Sequence, residues 1–440
     1  MNKLTSALVA LGIISLAGIA QAQTTVYLTG STAARSIIYG AATTAGQIFT
    51  AAPTVLSTNN SSGANTIVYE GNVNHVGTVI LNCSFTGSEA GIAAVAGQSL
   101  KQSVNGGTYS LPGVPPSFLT PASSYTVAAP LSAIPGAPAN PDLTMADTSQ
   151  AVSQTPQTLY HLVDYGCVGV VPFTIMKGYQ SGTTDQAYND LNNITTAQLN
   201  QLIVGPITAN FFTGVSADAS DYVFMSGRNL GSGTRANFLL NVQQPINNPV
   251  DQYAWGASLA ALYPTAGVLT FAGSYASGQT LTEVFNDGFD GGSSVQKTLN
   301  VDGSGTANGF SAHIILLGYL GISDAANAHA TQTSPAGSAI YLPYNGVYES
   351  DLGVENGSYT YWGQEHLLGS VSQSPTSNAG YTAAAIVSGI AAQLTSTGAG
   401  TKTGAVGPTY SAQSVLIPKS LMQVGRNGHD GGFPVQGGTF

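Results

Sequence analysis

Three times in this chain a short apolar run stops at a glycine–serine turn and gives way to a helical pattern. That recurrence constrains the fold more than any other feature. The fullest example is Tyr222 to Val242, YVFMSGRNLGSGTRANFLLNV. Tyr222 to Met225 reads as a buried strand. The turn carries Arg228, Gly231, Ser232 and Gly233, and from Thr234 onward Phe238, Leu239 and Val242 suit a helix. Earlier, Thr25 to Leu28 precedes Gly30-Ser31-Thr32 and a helical pattern from Ala33 to Phe49, with Ile37, Ile38, Ala41 and Ile48 near helical spacing. Val76 to Asn82 then precedes Gly87-Ser88 and a helical Ile92 to Ala96. Strands alternating with helices in this way predict an α/β fold.

Each unit is also a generic anion cradle. The first N–H groups of a helix have no internal partner and point outward, and the helix dipole favours negative charge there. Glycines let the backbone approach a ligand closely, and Ser232 and Thr234 add hydroxyl donors. Arg228 and Arg235 are two of the four arginines in the chain, and the guanidinium fork matches a tetrahedral oxyanion. Gly288 to Val295, GFDGGSSV, reads as a fourth cradle at a helix start. Gly303-Ser304-Gly305-Thr306 has neither a clear strand before it nor an arginine, and reads as loop.

The motif Arg-x-x-Gly-Ser-Gly-Thr, here Arg228 to Thr234, followed by a helix with phenylalanine, resembles the phosphate-binding proteins that serve ABC importers. These belong to the two-lobed periplasmic solute-binding superfamily. The resemblance implies an α/β, two-lobed, periplasmic-binding-protein-like (type II) fold with a ligand cleft between the lobes. It implies one lobe from residues 23–170 and 326–440, with a Pro/Gly-rich insertion at 97–141, and a second from 171–325. The apolar runs Asp164 to Ile175 and Ile314 to Ile322 are then the places where the chain changes lobe. The ligand residues implied are Gly30, Ser31, Thr32, Ser88, Asp147, Arg228, Ser232, Gly233 and Thr234. Arg35 either reaches the same cradle or is a solvated helix residue. Asp147 ends PDLTMAD, similar to the family's short strand with a ligand-facing aspartate; a carboxylate there accepts from protonated phosphate and repels sulfate. An aspartate in that setting is equally an N-cap. Two positions depart from the family pattern: Ala33 stands for an aromatic and Leu230 for an acid. Ile194 to Ile207 is a scaffold match, and a helix from Tyr381 to Leu394 and a strand from Ser414 to Ile417 complete the reading.

Composition sets the surroundings. Residues 1–22 carry one early lysine, an apolar run and Ala20-Gln21-Ala22, the pattern of a cleavable signal peptide that directs the chain to the periplasm or outside the cell. No later stretch is long and apolar enough to span a bilayer. Only 7% of residues are charged and the net charge is −10, which argues against nucleic acid and anionic membranes as partners. Cys83 and Cys167 fit one disulfide or two buried thiols. No histidine pair has zinc spacing, and no nucleophile elbow or phosphate-binding loop with lysine is present. The pairs Glu365-His366 and His429-Asp430 read as solvated. The function that follows is non-catalytic capture of an oxyanion, phosphate first, with no cofactor and with an importer permease as partner. A surface or matrix protein that kept this fold without a ligand is the alternative, and an exported phosphatase-like hydrolase a third reading.

Overall fold

The computed structural model describes residues 23–104, 107–110, 117–119, 135–138, 140–182, 185–256, 269–305, 312–330, 333, 335–371, 375–397, 416–427, 430–438 and 440. The expected signal peptide and His429 lie outside them. The sheet strands are β1 (Thr24–Gly30), β2 (Thr54–Val55), β3 (Thr66–Val73), β4 (Gly77–Phe85), β5 (Leu143–Ala146), β6 (Leu162–Lys177), β7 (Ile207–Thr208), β8 (Tyr222–Ser226), β9 (Ile314–Gly321), β10 (Ile340–Leu342) and β11 (Trp362–Ser370). They form one sheet in the order β7-β8-β9-β6-β11-β5-β1-β4-β3-β2, with β10 also on β6.

β6 divides this sheet into two halves. Its residues Leu162 to Pro172 pair antiparallel with β11, whereas Phe173 to Lys177 pair with β9 and Ile175 to Lys177 with β10. The partner changes at Pro172, which has no N–H to donate to a ladder. In one half β1 runs parallel to both β4 and β5, and in the other β8 runs parallel to β9. Parallel neighbours bring strand C-termini to one edge, where ligands of open α/β sheets sit. The α/β class implied by the sequence is the one observed, with one large central sheet and helices around it.

The helices among the described residues include α1 (Arg35–Thr43), α2 (Ser88–Val95), α3 (Gly233–Asn241), α4 (Gly292–Leu299), α5 (Ile322–His329) and α6 (Asn378–Thr397). Ile37, Ile38, Ala41 and Ala42 of α1 are buried, as their helical spacing requires. The helix expected to run to Phe49 stops at Thr43, and Gly46 turns the chain with φ +81°. Phe238 of α3 stacks on Tyr319 of β9 with centroids 4.4 Å apart, fixing the third turn against the sheet. The insertion, expected to be irregular, contains two short antiparallel pairs, Lys101–Val104 with Gly107–Ser110 and Ser117–Leu119 with Pro135–Pro138. Phe118 of the insertion lies 4.8 Å from the Tyr27 ring. Cys83 and Cys167 are buried free thiols, so the disulfide alternative is not realised. Among the described residues no helix is long and apolar enough to cross a membrane.

Candidate functional site

The three predicted turns meet at the edge where the strands end. Gly30 closes β1 with φ +108°, and a side chain there would meet the Met145 carbonyl at 1.9 Å. Its own carbonyl accepts from Thr86 N (3.0 Å) and Gly87 N (2.8 Å), joining the first turn to the second. Ser31 N donates to Met145 O at 2.7 Å, joining the first turn to β5. Ala90 N donates to Gly231 O at 3.2 Å, joining the second turn to the third across the two halves of the sheet. Ser232 caps α3 by accepting from Arg235 N at 3.4 Å.

Asp147 lies at the centre of this junction. Ser88 Oγ donates to its carboxylate at 2.5 Å, and Asn237 Nδ2 donates to its carbonyl at 2.7 Å. A Cβ on Gly233 would stand 1.4 Å from Asp147 Oδ1, so only glycine lets that carboxylate sit on the first turn of α3. Asp147 is 2% exposed. Burial raises its carboxyl to about 6 against the pull of the Ser88 hydrogen bond and the Arg228 charge. The reading of Asp147 as an N-cap of its own helix does not hold, because its acceptors serve Ser88 of another element.

Of the two motif arginines, Arg235 is spent on structure. Its guanidinium donates to the carbonyls of Arg228, Asn248 and Asn286 and to the Asn286 side chain. Arg228 differs. It is 3% exposed. Its Nε donates to Phe289 O at 3.3 Å and its Nη2 to Asp290 O at 2.9 Å. Among the described residues Nη1 has no hydrogen-bond partner, and no carboxylate lies within ion-pairing distance of the group.

Beside this arginine a cavity of about 410 Å³ separates the two halves. One wall carries Thr32, Arg35 and Thr86; the opposite wall carries Asn229, the start of α4 from Gly291 to Ser294, and Lys297. Asp290 also lines it. Of the nine ligand residues implied by the sequence, Thr32 lines this cavity, while the others pack against one another or behind its wall. Arg35, left open between two readings, lines it too. Its Nε donates to Thr32 O at 2.8 Å and its Nη1 to Gly63 O at 3.0 Å and to the Asn65 side chain. The fourth glycine cradle is a helix start as expected, and Gly303 to Gly305 is loop.

Two further carboxyls attend the site. Burial raises both Asp290 and Asp324, in each case against the Arg228 charge, and Asp324 also feels Arg35. Asp324 Oδ2 lies 2.0 Å from where a Cβ on Gly292 would be, placing it on the first turn of α4. Glu365 corrects the sequence reading. It is fully buried, and burial holds its carboxyl well above the usual range beside Asp147; Ser31 approaches without reaching hydrogen-bond geometry. Its neighbour His366 is buried as well, with Nδ1 3.1 Å from Asp164. The available signal was a weak one: in WGQEHLL, Trp362 to Leu368, one strand face carries both Glu365 and Leu367. Nothing local marks Lys297, which lines the cavity, or Asp324, which packs against Gly292 behind its wall.

No protein-family model matches the chain, and no curated protein matches it in sequence. Several solved structures are similar to it. One, from Clostridium perfringens, was solved as a phosphate ABC transporter substrate-binding protein with bound phosphate; identity is 13%, coverage 84% of this chain and 93% of that one, and TM-score 0.40. An ABC-type phosphate transport receptor from Vibrio cholerae shows 13% identity over 83% of this chain and 93% of its own, with TM-score 0.39. PstS from Borrelia burgdorferi shows 10% identity over 79% of this chain and 87% of its own, with TM-score 0.31.

Proposed function

We propose that this chain is an exported solute-binding protein that captures an oxyanion, phosphate first, between its two halves without chemical change. The observation that carries this reading is Arg228: a buried guanidinium with an unpartnered donor and no ion pair, one hydrogen bond from the wall of a polar cavity. Asp147, Asp290 and Asp324 feel this charge without ion-pairing to it, and an anion in the cavity adds negative charge from the open side. Arg35 and Lys297 add positive charge from opposite walls, and the first turn of α4 adds backbone N–H groups. Asp290 in the lining accepts a hydrogen bond from a protonated oxyanion and repels one that has no proton, which favours hydrogen phosphate over sulfate. Within this reading residues 23–170 with 326–440, and 171–325, form the two lobes, residues 1–22 are removed on export, and a membrane importer is the receiving partner. Thr32 reaches the cavity from the first turn, while Ser88 with Asp147 and Ser232 to Thr234 are buried outside its lining.

Titration calorimetry against phosphate and sulfate tests the proposal. Arg228→Ala should lower phosphate affinity by about one to two decades, the loss of a charged hydrogen-bonding group of about 1.5–3 kcal/mol. Phosphate held by this variant at wild-type affinity would end the proposal.

A further inference from the structure

The cavity is far larger than a tetrahedral oxyanion needs. Its volume is about 410 Å³, whereas phosphate has five heavy atoms. A volume of this order is usual for pockets that enclose an organic ligand. The lining also has two chemically distinct zones. Arg35, Lys297 and the first turn of α4 suit an anionic group. Phe85, from the end of β4, and Phe271, from the segment outside the sheet strands, supply aromatic carbon, and Thr86, Thr270 and Asn229 also line the cavity. Ser294 joins the two zones: it belongs to the first turn of α4, and its hydroxyl accepts from Phe271 N at 3.3 Å. Phe271 is further held by stacking on Tyr275 with centroids 5.3 Å apart. A bare oxyanion uses none of the aromatic surface.

Resting on the oxyanion capture proposed above, we infer that the ligand is a phosphomonoester of a small polyhydroxylated alcohol. Its phosphoryl group is held by Arg35, Lys297 and the start of α4, and its alcohol lies against Phe85 and Phe271. Aromatic faces cover the C–H surface of such an alcohol, while the amides and hydroxyls around them answer its O–H groups.

The test is calorimetric titration of the purified chain with inorganic phosphate, glycerol 3-phosphate and glucose 6-phosphate. One ester should bind at least about tenfold more tightly than phosphate, the gain expected for one well-packed aromatic contact. Phe271→Leu should shrink that margin while leaving phosphate affinity within about twofold. Phosphate binding as tightly as both esters would overturn the ester assignment and leave oxyanion capture standing. An ester preference untouched by Phe271→Leu would overturn the placement of the alcohol. Failure of all three to bind would remove capture itself.

Discussion

The helices α3 and α4 begin in the same way and end up with different tasks. Each starts at a glycine that abuts a carboxylate, Asp147 against Gly233 and Asp324 against Gly292. At α3 the carboxylate is buried, tied to Ser88, and sealed beneath Ser232 and Gly233. At α4 the carboxylate is partly buried, and the helix start opens on the cavity, with Ser293 exposed in its lining. The partial positive charge of a helix start attracts an anion, and the chain itself provides one at α3. A glycine–serine helix start therefore identifies an anion-seeking group without saying whether protein or ligand satisfies it.

The largest expected effect that sharpens this contrast is a pH dependence. Asp147 is raised from 3.8 to about 6, so the native state keeps a proton that the unfolded chain releases in that window. Stability therefore falls as pH rises from about 4 to about 6, by at most about 3 kcal/mol from this group. Asp147→Asn removes the titration while keeping an acceptor for Ser88. Urea unfolding of both proteins between pH 4 and 7 should show the wild type losing more stability than the variant across that range. Parallel curves would mean that the α3 carboxylate is no more sealed than an ordinary surface acid.

Steric substitution separates the two helix starts next. Gly233→Ala drives a methyl into a tied, buried carboxylate and should destabilise by about 1–3 kcal/mol. Gly292→Ala meets Asp324 alone, at 2.0 Å from its oxygen and 2.8 Å from its carboxyl carbon, and should cost less than Gly233→Ala, which also meets Ser88. Thermal unfolding of the pair checks the order, and equal losses would erase the distinction. The smallest effect belongs to Lys297. It is exposed at the cavity, so Lys297→Ala should weaken phosphate binding only a few-fold, and less at high salt, because rim charges are screened. Titrations at two salt concentrations measure this.

Much of this was legible in the sequence because it was local. The α/β class follows from three changes of hydrophobic period, and the turns at Gly30, Gly87 and Gly231 to Gly233 stand where those changes placed them. Their mutual approach follows from strands that end at one edge. What escaped was long-range. Lys297 and Asp324 carry no motif, and their neighbourhood with Arg35 and Arg228 arises only when the two halves of the sheet face each other. Glu365 looked solvated because a Glu-His pair usually is; its strand lies between β6 and β5, where both faces are covered. Asp147 was expected to face a ligand or cap a helix; its engagement by Ser88 depends on a close approach that one strand's sequence does not encode.

The burial of the arginines has a kinetic consequence. Three of the four, Arg228, Arg235 and Arg426, are at most 3% exposed, while the chain as a whole carries −10. An approaching anion meets a repelling field at long range and attraction only on contact. Encounter then gains nothing from long-range electrostatic steering. Added salt, by screening the repulsion, quickens arrival. Discrimination between anions then resides in how long each one stays.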